Sequence, residues 1–402
     1  MSGEALTAAR RALAEGEHFR AYDLAESEPD GPDGPSPEKL HVMALSLARS
    51  GAGLRARELA ARLPDCDDPE IMGLKSRLFK DLARTALDPA ERRSCFAAAA
   101  DVSERVFRAK RVWYNGVNAA SCRFLSGDRE GARRLVRNEV LPLCEQEPVR
   151  DFWLVATKGE CLLLLGRYAE AAARYAEAAA MSEAERRFGD FATTVRQLRM
   201  LADDIGPDAR AVFEGVRMPC VAVFSGHMID GPDRAAPRFP PEAEAGVAER
   251  LRRLVRERRV AIGYASCACG GDILFLEAVL AAGGRVVVVP PLPLEKAIRG
   301  SVAPAGGDWE VRLRAILAHP SATLLEAECD ETGENDAVVY EFCNRYLFGL
   351  AMLRARQLSF PLRGLCVWDG TRSGKTGGTD SAVLRWRAAG LIVDAVAPEV
   401  RP

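Results

Sequence analysis

The chain has 402 residues, 55 Lys and Arg against 57 Asp and Glu, and a net charge of −2, so it carries no global field that favours nucleic acid or an anionic membrane. That length predicts two or more hydrophobic cores, while no apolar run approaches the roughly 20 residues of a membrane helix. The start, Met1-Ser2-Gly3-Glu4-Ala5, lacks the basic-then-apolar pattern of a secretory signal. Eleven cysteines, an odd number without paired CxxC spacing, predict reduced thiols and a cytoplasmic location. Cys267 and Cys269 are far in sequence from any of the four histidines, so no metal site is expected.

The first half repeats itself. Its clearest copy runs from Gly159 through Leu165-Gly166-Arg167-Tyr168-Ala169-Glu170-Ala171-Ala172 to Tyr175 and Ala178. Small residues fall where two antiparallel helices approach, and the aromatic ring fills the groove between them. Looser copies lie at Glu15 to Ala21, Ser50 to Ala56 and Ser126 to Ala132, with a degenerate one near Asp88 to Ala99, where Pro89 opens a helix. Gly16, Gly51, Gly127 and Gly166 are separated by 35, 76 and 39 residues, the middle interval being two periods. This pattern resembles tetratricopeptide repeats, which stack into a solenoid with a concave face. The stretch Ser27 to Pro37, with four prolines and two glycines, reads as a loop between helix pairs.

After Met218-Pro219 the period changes. Apolar runs at Cys220–Phe224, Val260–Tyr264, Val286–Val289, Ala322–Leu325, Gly364–Trp368 and Leu391–Val396 read as strands. Helical patterns lie between them at Glu242–Glu257, Asp272–Ala282, Trp309–Ala318, Asp336–Gln357 and Thr379–Ala389. Continuous apolar strands alternating with helices predict a parallel sheet covered on both faces. The expected fold is therefore α + α/β: a helical-repeat domain over 1–210 and a Rossmann-like parallel-sheet domain over 218–398.

Such sheets bind ligands beyond the carboxyl ends of their strands, and candidate ligand-binding residues gather there. Ser225, Gly226 and His227 follow the first strand; Ser266, Cys269, Gly270, Gly271 and Asp272 follow the second. Small residues let backbone approach a ligand, and the unpaired N–H groups of a helix start attract phosphate. Asp272 caps the helix, orders the loop or holds a sugar hydroxyl. Pro290 stiffens the loop after the third strand, and Asp308 reads as the cap of the helix opened by Trp309. Tyr340 and Asn344, four apart, share one helix face suited to a base or ribose. Gly377, Gly378 and Thr379 open the last helix as a second phosphate cradle. The nearby Gly374-Lys375-Thr376 does not make a P-loop, because Asp369 stands where its first glycine belongs. Acid–base candidates are His227, Asp272 and Glu277, while Asp230 and Asp233 read as turn formers.

Ser225-Gly226, Cys269-Gly270-Gly271-Asp272 with Glu277-Ala278, the Val286-to-Pro290 strand and Gly377-Gly378-Thr379 together resemble the SLOG superfamily. That superfamily includes the DNA-processing protein DprA and the cytokinin-activating phosphoribohydrolases. The resemblance implies a domain that binds a nucleotide or a nucleotide-derived ligand, such as an ADP-ribose-like or cyclic nucleotide. It implies a sensor in bacterial signalling or defence; separately, the helical repeats are expected to bind a protein partner, and a homo-oligomer is allowed for. The alternatives are a nucleotide-processing hydrolase of the N-glycosidase or phosphoribohydrolase type and a non-catalytic scaffold. The proline and glutamate of the phosphoribohydrolase motif are absent around Gly377-Gly378-Thr379, where Ala382 takes the place of the glutamate.

Overall fold

The computed structural model describes residues 3–231, 234, 236–327, 336–374 and 376–399. Of the positions read above, Asp233 and Lys375 lie outside these. The chain forms two compact units: Met1–Arg217 with Gln357–Ser359, and Met218–Arg356 with Phe360–Pro402.

The first unit is built from helix pairs: α1 (Glu4–Glu15) with α2 (His18–Glu26), α3 (Pro37–Ser50) with α4 (Gly53–Ala60), and α5 (Pro69–Thr85) with α6 (Pro89–Lys110). Next come α7 (Trp113–Ser126), α8 (Arg129–Leu135), a π turn at Val136–Val140 and α9 (Leu141–Gln146). The unit closes with α10 (Phe152–Leu164), α11 (Tyr168–Glu185), α12 (Phe188–Ile205) and α13 (Pro207–Gly215).

The repeat glycines have one physical job. Gly16, Gly51 and Gly127 cap α1, α3 and α7, and Gly166 follows α10, all at φ between 76° and 114°. That left-handed conformation turns the next amides back onto last-turn carbonyls, as when Glu17 N–H donates to Ala12 at 2.7 Å. The 76-residue interval skips α5, which ends at Thr85 without glycine, and Asp88 then caps α6 ahead of Pro89. Within the clearest copy, Gly159 lies against Tyr175: a Cβ there would sit 3.3 Å from the ring. Tyr175, Ala171 and Ala178 are fully buried, so the small-against-aromatic reading of the pair holds. The π turn directly precedes Pro142, whose missing N–H interrupts the helical ladder.

The second unit is a six-stranded, wholly parallel sheet in the order β4-β3-β2-β1-β5-β6. Its strands are β1 (Cys220–Gly226), β2 (Val260–Ala265), β3 (Arg285–Val288), β4 (Ala322–Leu324), β5 (Leu362–Val367) and β6 (Ile392–Val396). Its helices are α14 (Glu244–Glu257), α15 (Gly271–Ala281), α16 (Leu294–Ser301), α17 (Trp309–Ala318), α18 (Asp336–Leu358) and α19 (Thr379–Ala388). Every expected strand and helix is present within two residues, and the α + α/β class holds. The helix α16 was not foreseen, because Pro290 to Pro293 hides its start behind a loop signal. Asp308 does not cap α17: its backbone (φ −102°, ψ 8°) is not the extended form a capping side chain needs, and its carboxylate turns toward Arg312.

One contact seats α15 on the sheet. Phe275 stacks face to face on Phe224 of β1, with ring centroids 4.4 Å apart. Gly263 of β2 leaves room for that ring, since a Cβ there would come within 2.8 Å of it. Both rings are fully buried in a core that runs from β1 to α17.

Candidate functional site at the sheet edge

The chain adds β2, β3 and β4 on one side of β1, then returns to place β5 on its other side. The carboxyl ends of β1 and β5 therefore form the reversal point where open α/β sheets leave a crevice. His227 spans it. Its N–H donates to the Val367 carbonyl at 3.0 Å, and its Nε2 lies 3.1 Å from Asp369 Oδ1. The same Nε2 also lies 3.4 Å from the Asp369 backbone N–H, so Asp369 holds that edge of the ring through both its carboxylate and its amide. Burial lowers the imidazole pKa against the opposing pull of Asp369. Burial alone would raise the Asp369 pKa, yet the bonds from His227 and Thr371 hold it below the usual range. The pair is thus a neutral imidazole on an ionised carboxylate.

The turn after β2 packs directly on the turn after β1. Gly271 N–H donates to the His227 carbonyl at 3.0 Å. A Cβ on Gly226 would come within 2.8 Å of Gly271 Cα. Gly270 adopts φ 88°, and a Cβ on it would sit 2.6 Å from the Ile229 nitrogen. Asp272 does not cap α15; it is buried and reaches back to accept from Ala268 N–H at 3.2 Å and from the Gly226 amide. Of the roles open to it, ordering the loop is the one the bonds display. Burial raises its carboxyl pKa to about 7 against those two bonds.

A third turn joins from α19. Thr379 Oγ1 lies 3.5 Å from Ser225 Oγ, and Gly377, at φ 83°, packs against the backbone of Ala337 and Glu341. Gly378, not Thr379, occupies the cap position of α19. Asn344 donates to the Gly377 carbonyl at 3.0 Å. Tyr340 pairs through its hydroxyl with Ser301 at 3.3 Å, while the Ser301 carbonyl accepts from Cys269 N–H at 2.9 Å. Tyr340 and Asn344 thus use their shared face to tie α18 to the end of α16 and to the turn that opens α19. Ser266 is half-buried and Pro290 buried in loops at the same edge.

Glu277 stands apart from this cluster. Both its oxygens accept from Arg312, at 2.8 and 2.7 Å, and Arg312 also reaches Glu244 at 2.7 Å. The guanidinium lies 4.2 Å from the Trp309 ring centre, so that ring stacks on arginine. Arg312→Ala is expected to cost about 2 kcal/mol, because a two-nitrogen partner to a partly buried carboxylate is lost. Urea unfolding followed by Trp309 fluorescence measures this, and an unmoved midpoint would contradict it.

Several residues of this edge escape a reading of the sequence. Asp369 follows β5 as plainly as His227 follows β1, but only the strand order makes them neighbours. Asp380 accepts from the Ser373 and Gly374 amides at 2.9 and 3.1 Å and folds that loop onto α19. Glu341 binds Ser381, Arg345 and Arg385. Asp230 accepts from the Arg238 and Phe239 amides at 2.6 and 2.7 Å, the turn-forming role expected of it. Among the described residues no group of His, Cys, Asp and Glu could hold a metal ion, and ten cysteines are free thiols. No described helix is long and apolar enough to cross a membrane.

Residues 17–123 match the family described as Tetratricopeptide Repeats-Sensor. No curated protein matches the chain. Among solved structures, a thermophilic TPR protein of Thermus thermophilus is similar at 22% identity, covering 50% of this chain and 99% of that one, with a TM-score of 0.38. The helical unit is thus tetratricopeptide-like over residues 17–123, and repeats of this type are protein-interaction modules.

Proposed function

We propose that the second unit binds a nucleotide or nucleotide-derived ligand, such as an ADP-ribose-like or cyclic nucleotide, at the β1/β5 crevice. The helical arm would report that binding to a protein partner in bacterial signalling or defence. The observation that carries this reading is the convergence of three glycine turns, at Gly226, Gly270-Gly271 and Gly377, on the reversal point of a parallel sheet. Two of them open helices whose first amides favour a phosphate. Asp272 and Asp380 already engage amides beside those turns, so a ligand would bind in competition with, or on top of, these carboxylates. Ligand binding would act by favouring one of two arrangements of the protein.

A thermal-shift series with ADP-ribose, cyclic mononucleotides and nucleoside diphosphates tests this. A ligand at a hundred times its Kd adds about 2.7 kcal/mol to the unit that holds it. His227→Asn should reduce the shift, whereas no shift with any of these ligands would overturn the reading. The neutral His227 oriented by Asp369 also favours a second reading, in which the imidazole acts as a base in N-glycosidic or phosphate hydrolysis. Release of free base or ribose phosphate from a bound nucleotide on a chromatogram supports it; intact nucleotide returned in full excludes it.

A further inference from the structure

The helical unit holds an open cavity of about 990 Å³, lined from α1 to α12 and lying wholly outside the crevice described above. That is the upper end of the size range of small-molecule sites. Its charges are unevenly partnered. Most acidic side chains on its wall are already committed: Asp68 and Asp151 accept from helix-start amides, Glu38 pairs with Arg10, and Glu160 is held by Ser121 and Gln197. Against the five guanidiniums of Arg49, Arg77, Arg84, Arg187 and Arg196 stand three carboxylates by direct pairing. Asp81 serves Arg77 and Arg84, Asp190 serves Arg49 and Arg187, and Glu185 reaches Arg187 at 4.0 Å.

Arg196 has no ion-pair partner among the described residues. Its Nη1 donates to the Gln357 carbonyl at 3.3 Å, and its buried Nη2 has no hydrogen-bond partner. Burial, and then repulsion from Arg77, Arg49 and Arg84, lowers its pKa to about 9. Burial likewise lowers that of Arg77, against Asp81. Guanidiniums crowded in this way raise each other's energy, and an anion of two or more charges relieves it. Trp113, Tyr114 and Trp153 line the same cavity and offer flat faces.

We propose that this cavity is a binding site for a small organic polyanion bearing phosphate groups, held by Arg49, Arg77, Arg84 and Arg196. The helical arm would then take a small ligand of its own, independent of what the sheet edge binds. Planar guanidiniums match phosphate oxygens two at a time, and several of them together discriminate a polyanion from a single carboxylate.

Calorimetric titration of the full chain with inorganic pyrophosphate and with ADP tests the proposal. The expected result is binding by both that weakens about tenfold or more in Arg196→Gln and in Arg84→Ala, and that weakens as salt is raised. Arg84 is half exposed, so its replacement leaves a folded protein if the buried Arg196→Gln does not. His227→Asn, at the sheet edge, should leave pyrophosphate binding unchanged, which separates this site from the one proposed above. Absence of pyrophosphate and ADP binding at millimolar concentration overturns the proposal. So does binding that Arg84→Ala and Arg196→Gln leave intact, or binding that only His227→Asn removes.

Discussion

Gly226→Val is expected to destabilise the sheet unit by about 3 kcal/mol and to disorder its ligand edge. The reason is backbone against backbone. A Cβ at Gly226 would come within 2.8 Å of Gly271 Cα on one side and 2.8 Å of Phe224 Cε1 on the other. Phe224 is itself clamped by its stacking on Phe275, so neither neighbour can move aside. Relief requires pushing α15 away from the sheet, which parts Gly271 from the His227 carbonyl and opens the joint between the first two loops. Gly226→Ala should act in the same direction with smaller effect. Gly300→Ala, on α16 with nothing within 4 Å of the added Cβ, should instead be neutral or stabilising by about 0.5 kcal/mol. Urea midpoints of the three variants, read on the unfolding of the sheet unit, decide the matter. Equal midpoints for Gly226→Val and the native chain would show that the two turns do not depend on this contact.

Asp272→Asn is expected to remove a large pH dependence. Burial raises the Asp272 pKa to about 7 in the folded protein, against about 3.9 in an unfolded chain. Below pH 4 the carboxyl is protonated in both states and its folded environment is fully tolerated. Between pH 4 and 7 the unfolded chain releases the proton while the folded one keeps it, so stability falls as pH rises. Above pH 7 both states are ionised and the loss is complete. At 1.36 kcal/mol per pH unit the whole interval amounts to about 4 kcal/mol. The Asn side chain can still accept from Ala268 but cannot ionise. The stability difference between native chain and variant should therefore shift in favour of the variant from pH 4 to pH 8. Taking the difference cancels the other raised carboxyls, among them Glu160 and Asp190 of the helical unit. A difference that stays constant with pH would mean Asp272 is ionised throughout.

Both predictions concern residues that stand out in the sequence, though for partly different reasons than the structure supplies. Gly226 reads there as a place for a ligand; in the fold its immediate neighbour is another glycine turn. Asp272 reads as a helix cap or a sugar contact, and the side chain turns back onto Ala268 and Gly226 instead. Glu277 reads as an acid–base candidate because it follows the same glycines, but two helical turns carry it to Arg312 and Glu244. Tyr340 and Asn344 share a face as their spacing requires, and they spend that face on Ser301 and Gly377.

What the sequence by itself determined was local and periodic. Glycines at the ends of helices, apolar runs of strand length, and the switch between the two periods at Met218-Pro219 marked the repeats and placed the strands and all but one of the longer helices of the second unit to within two residues. These signals are carried by neighbours in the chain, through backbone conformation and the alternation of buried positions. The tertiary structure alone decided which of those elements meet. The strand order sets β5 beside β1, and only that brings His227 to Asp369 and Ser225 to Thr379, residues 142 and 154 positions apart. The same holds for the arginine cavity, where Arg49, Arg77 and Arg196 come from α3, α5 and α12. Stacked helices place them side by side because each pair buries its apolar face on the next, leaving charges that are remote in sequence to face one another across the hollow.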